Sequence, residues 1–150
     1  MGKIYPGIDH DIRAWIARQH MFFVATAPLL GDGMVNCSPK GGDTLRVVDE
    51  HTLAYLEFAG SGIETVAHLR ENGRIVIMFC AFDGTPQIMR LHGKGEVITP
   101  GHARFDELSG SFPPHPGIRS IIHVVVDRVS DSCGWGVPVM TFEKDRDALE

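Results

Sequence analysis

The sequence is short of cysteine, short of base relative to acid, and free of long apolar runs. Three cysteines, Cys37, Cys80 and Cys133, are spread over 150 residues, and no CxxC occurs. An odd, widely spaced set does not make a disulfide framework. No His or Cys pair stands at the short spacing that zinc sites favour, so no metal site is expected. Lys and Arg number 14 against 19 Asp and Glu, a formal net charge of −5. A broad nucleic-acid surface needs surplus base to neutralise phosphates, and this chain lacks it. A local basic pocket stays open. No apolar stretch approaches the ~20 residues that cross a bilayer. Residues 1–6 lack the apolar run of a signal peptide. The expectation is a cytoplasmic protein with neither nucleic acid nor membrane as partner. P-loop, HExxH and GxSxG motifs are also missing, so the pattern names no catalytic group.

What the chain does have is glycine. Seventeen glycines and nine prolines in 150 residues predict many tight turns and many short strands. Ile8, Ile12, Trp15 and Ile16 fall on one face of a helix. Strand patterns follow at residues 21–26, 34–38, 45–48 and 52–58. Lys40, Gly41, Gly42 and Asp43 read as a polar loop. Ile63, Val66, Ala67 and Leu69 return to helical spacing, and Gly73 supplies a stop. Residues 74–82 are nearly all apolar, as in a strand buried on both faces. Residues 87–98 form a long strand interrupted by Gly93 and Gly95, where bulges or close approaches are expected. Residues 102–109 suit a helix, 121–129 a strand, and 139–142 an extension of the sheet. One domain over residues 1–150 accounts for the whole pattern.

Several residues carry two readings. Ser61 serves either as a helix N-cap with Glu64 as its capping-box partner, or as part of an anion site with Gly60, Gly62 and Thr65. Lys40 either closes on a phosphate or is solvated. Arg90, between Met89 and Leu91, needs an anionic partner if it faces a barrel interior and none if it faces out. Trp135, between two glycines, is a core ring or a flat stacking surface. His92 and His123 lie within strands and read as structural or surface residues.

These pieces, taken in order, resemble a known family. Residues 38–41, 55–69, 72–82, 90–95 and 132–138 together resemble the pyridoxamine 5′-phosphate oxidase-like proteins, and the resemblance extends from about residue 5 to residue 143. It implies a mainly β fold, a six-stranded Greek-key split β-barrel with flanking short helices. It implies FMN at the interface of a homodimer, with a small-molecule substrate. The residues that match its flavin-binding blocks are Asn36, Cys37, Ser38, Pro39 and Lys40, then Ala59, Gly60, Ser61 and Thr65, then Arg90 and Trp135. The family's Ser-Arg-Lys run in the phosphate loop is Ser61-Gly62-Ile63 here. Both basic side chains are missing, so a cation from elsewhere, such as Lys40, Arg70, Arg74 or Arg90, has to serve. The arginine-rich substrate motif of the true oxidases is absent, which argues against pyridoxamine phosphate as substrate. Relatives continue further past the Phe142 region. The resemblance thus implies an FMN-dependent oxidoreductase. The alternative is a protein that binds flavin, haem or deazaflavin without turnover.

Overall fold

The computed structural model describes residues 2–60 and 63–146. Asp9 opens the first helix, α1 (His10–Ala17), by accepting the Ile12 N–H at 2.9 Å. The expected apolar face turns Ile12 and Ile16 into the core, with Ile8 just ahead of the helix. Helix α2 (Glu64–Asn72) stops at Gly73, whose φ of 71° is the left-handed conformation that glycine adopts freely. Ser61 and Gly62 lie outside the described residues, and so does the cap expected of Ser61. A third short helix, α3, spans Phe105–Ser109.

The strands are β1 (Ile4–Tyr5), β2 (Met21–Thr26), β3 (Asn36–Gly41), β4 (Leu45–Asp49), β5 (Thr52–Phe58), β6 (Arg74–Cys80), β7 (Gln87–Ile98) and β8 (Ile118–Cys133). They form one antiparallel sheet in the order β3-β2-β6-β7-β8-β5-β4, with β1 added on β8. The edge strands β3 and β4 are consecutive in the chain, joined by residues 42–44, so the sheet curls back on itself. The Leu56 N–H donates to the Thr44 carbonyl at 2.9 Å, which extends the β4–β5 pairing by one residue. The concave side holds the main core, including Phe22, Tyr55, Ile77, Phe79, Leu91 and Val124. Eight strands replace the expected six. One of them, β1, has only two residues, too few to show an alternating pattern.

Two local expectations need correction. Lys40 and Gly41 belong to strand β3, not to a loop. Residues 139–142 form no strand; the Met140 N–H instead donates to the Phe82 carbonyl at 2.8 Å. The interruption expected at Gly93 is present as a register shift between His92 and Gly93 against β8.

Strand β1 is tied down by one carboxylate. Asp131 accepts from the Lys3 N–H at 2.6 Å and from the Tyr5 hydroxyl at 2.7 Å. The Lys3 N–H and then the Tyr5 hydroxyl hold the Asp131 carboxyl below its usual range, and the Tyr5 phenol is pushed up to about 12, chiefly by its bond to Asp131. A depressed acid stabilises the fold above its unfolded pKa of about 3.9, and that stability is lost as pH falls through the lower folded value. Loosening of β1 is therefore expected only below about pH 4, with Asp131→Asn loosening it at neutral pH. Amide exchange of residues 4–5 measures both.

Candidate functional site

The pleat of β3 divides the candidate residues between two faces. Asn36, Ser38 and Lys40 pair with Thr26, Val24 and Phe22 of β2 and face the concave side. Cys37 and Pro39 are exposed and face out. Arg90 alternates with buried Met89 and Leu91, so it also faces out, and its guanidinium donates to Ser132 Oγ at 2.9 Å. Its charge acts on Cys80, whose thiol burial pushes up and Arg90 draws back. Trp135 is 85% exposed, which removes the core reading.

At one end of the concave side, β2, β3 and α2 bring together a buried polar group. Asn36 donates to Thr65 Oγ1 at 3.0 Å, and Ser38 donates to Asn36 Oδ1 at 3.1 Å. Thr26 Oγ1 lies 2.9 Å from His68 Nδ1. Thr65 is buried, so the hydrogen bond from Asn36 satisfies a hydroxyl that would be costly to leave alone. Ala59 and Gly60 close β5 nearby in the chain. Among the described residues nothing lies within 4 Å of where a side chain on Gly60 would stand.

Arg119 reaches this loop. A register shift between Glu57 and Phe58 leaves Arg119 of β8 without a pairing partner on β5. Its guanidinium turns to the loop and donates from Nη2 to the Gly60 carbonyl. Nη1 is buried and has no hydrogen-bond partner among the described residues. Arg119 was absent from the sequence candidates because no local motif marks it. Only pairing across 59 residues places it there.

Lys40 meets an unexpected partner. Its ammonium lies 2.8 Å from Glu57 Oε1, and Glu57 is only 2% exposed. The pair joins β3 to β5 across the closure of the sheet. Glu57 Oε2, Tyr55 OH and Ser120 Oγ are buried without hydrogen-bond partners among the described residues. Burial pushes the Tyr55 phenol well above its usual value, and the Glu57 charge adds to the effect. A signal for Glu57 was present in the sequence. It shares strand parity with Leu53 and Tyr55, so an acid stood at a core-facing position. Lys40 also lines a cleft of about 800 Å³, with Pro39, Phe58, His20 and Phe142 among its walls. His20 and Phe142 stack with ring centres 3.7 Å apart, and Phe58 packs against His115 at 4.5 Å.

Residues 8–133 match the family model of pyridoxamine 5′-phosphate oxidase. The chain belongs to this family. It is 40% identical over 155 residues to the pyridoxamine 5′-phosphate oxidase family protein ustO of Aspergillus flavus; the match takes in all of this chain and 61% of that protein. The chain thus spans about three-fifths of the length of that curated relative. Among solved structures, HupZ of Group A Streptococcus superposes with a TM-score of 0.61 at 24% identity, covering 81% of this chain and 91% of that one. An FMN-binding protein from Syntrophomonas wolfei superposes with a TM-score of 0.57 at 17% identity, covering 87% and 85%. These likenesses carry the split-barrel fold of the pyridoxamine 5′-phosphate oxidase family. No helix among the described residues is long and apolar enough to cross a membrane.

Proposed function

We propose that this member of the pyridoxamine 5′-phosphate oxidase family binds FMN between two copies of itself and serves as an oxidoreductase on a small substrate. The observation that carries the reading is Arg119. The loop lacks the basic pair its relatives use, and Arg119 supplies a cation at Gly60 with a buried N–H that has no partner among the described residues. A phosphate there would accept a charge-assisted hydrogen bond and remove an orphaned donor. Ala59 and Gly60, with Asn36, Ser38 and Thr65 at the same end of the concave side, would complete the phosphate end. Lys40 and Pro39 would meet the ring side at the cleft. When bound, the flavin supplies the electron transfer; the protein binds, orients and shields it.

The pleat supports pairing of two copies. Cys37, Arg90 and Trp135 cannot join the concave set within one chain. As flavin contacts they would act on the flavin of a second copy. Three free thiols suit a reducing compartment, in keeping with a cytoplasmic enzyme.

The absorption spectrum of the purified protein tests the cofactor. Flavin bands, or their perturbation on adding FMN, are expected; a protein that never takes up FMN overturns the reading. Arg119→Ala is expected to weaken FMN binding about tenfold or more, the worth of a hydrogen bond to a charged group. Fluorescence titration measures it. Bound flavin that neither NADH nor NADPH bleaches would favour binding without turnover.

A further inference from the structure

The outer face of β7 and β8 gathers positive charge that the flavin reading leaves largely unused. Arg90 and His92 stand two apart on β7 and so share a face. Arg128 of β8 pairs directly with His92. The register shift at Gly93 makes this arrangement: Gly93 pairs with Val126, so Asp127 and Arg128 both turn outward while Val126 and Val129 stay buried. The four ion pairs among the described residues include neither Arg90 nor Arg128. Asp127, next to Arg128 in the chain, makes none with it.

His92 reports the local charge. Burial lowers its pKa most, and the charges of Arg128 and Arg90 lower it further, with no carboxylate acting the other way. Two guanidinium groups and an imidazole therefore meet without an acid on a chain whose net charge is −5. Like charges left together are unfavourable unless an anion joins them. Beside them lies an apolar shelf. Met78 pairs with Arg90 on one side and with Phe23 on the other, and both apolar side chains are half-buried.

We propose that Arg90, His92 and Arg128 form a subsite for the anionic group, a carboxylate or phosphate, of a small substrate whose apolar part rests on Phe23 and Met78. The inference deepens the flavin reading and rests on it for the substrate's role, since Arg90 is common to both.

The purified full chain is titrated with benzoate, phenyl phosphate and neutral benzyl alcohol while the His92 ring is followed by NMR. Both anions are expected to raise the pH at which His92 titrates, because a bound anion favours the imidazolium; the alcohol is expected to leave it unmoved. Arg128→Ala and Arg128→Gln are each expected to weaken anion binding about tenfold or more, with FMN affinity unchanged. Equal responses to the alcohol, or an unchanged anion affinity in both variants, overturns the subsite. Conversion of a dimer to monomers by either variant overturns it too, assigning the cations to carboxylates of a second copy. A protein that takes up no FMN yet shows the anion response refutes the flavin reading alone.

Discussion

Lys40→Ala is expected to destabilise the fold by about 3–5 kcal/mol, the usual cost of stranding one member of a buried ion pair. Glu57 is the buried member, and its second oxygen is already without a partner among the described residues. Removing the ammonium would leave a carboxylate in the barrel with neither water nor cation. The opposite change is expected to be milder. Lys40→Met combined with Glu57→Leu removes both charges and should recover much of the loss, because a buried pair and an apolar replacement are often nearly equal in stability. Urea unfolding of the two single variants and the double variant measures the coupling. Additive losses would mean that the 2.8 Å contact does not hold β3 to β5.

Gly93→Ala is expected to cost at least about 3 kcal/mol, at the upper end of overpacking penalties. The added carbon would stand 2.1 Å from the Val125 carbonyl oxygen and 3.0 Å from the Val126 Cα. Both obstacles are backbone of the neighbouring strand, which cannot swing aside as a side chain does. Relief requires β7 and β8 to part at the point where their register shifts. Gly136→Ala is the control: among the described residues nothing lies within 4 Å of its added carbon, and the change is expected to fall within about 0.5 kcal/mol of neutral. Thermal denaturation of the two variants separates them. A Gly93 variant as stable as the Gly136 variant would refute the close approach.

The sequence made the regular elements legible where apolar residues set the period. Strand β5 and strand β7 have the limits that their patterns predict, and α1 buries the isoleucines that mark its face. Strand β3 was harder to see. Its concave positions are Asn36, Ser38 and Lys40, so polar residues occupy the places where an alternating pattern would show apolar ones. Pro39 also argues against a strand, yet it is tolerated because β3 is an edge strand with no ladder on its outer side. The candidate site was legible in part for the same reason. Short blocks located Asn36, Ser38 and Thr65, which the fold brings into one hydrogen-bonded group. They did not reveal that Lys40 is held by Glu57, or that Arg119 reaches Gly60. Each of those contacts is made by residues far apart in the chain, through strand pairings that no local window contains.

The position of β8 constrains how the molecule is made. It is the last of the described strands in chain order, yet it stands inside the sheet, between β7 and β5. Hairpins β2–β3, β4–β5 and β6–β7 are available early, but β4 and β5 have no strand pairing with the rest of the described sheet until residues 118–133 arrive. Strand β1 waits longest, since its partners Val129 and Ser130 are some 125 residues away. Contacts of such separation slow folding and leave strand edges open in the meantime. A nascent chain released before Cys133 would carry two unjoined half-sheets with their apolar faces uncovered. Translation to completion is thus a condition for solubility, and chaperones that shield open strand edges are expected to act on this chain during synthesis.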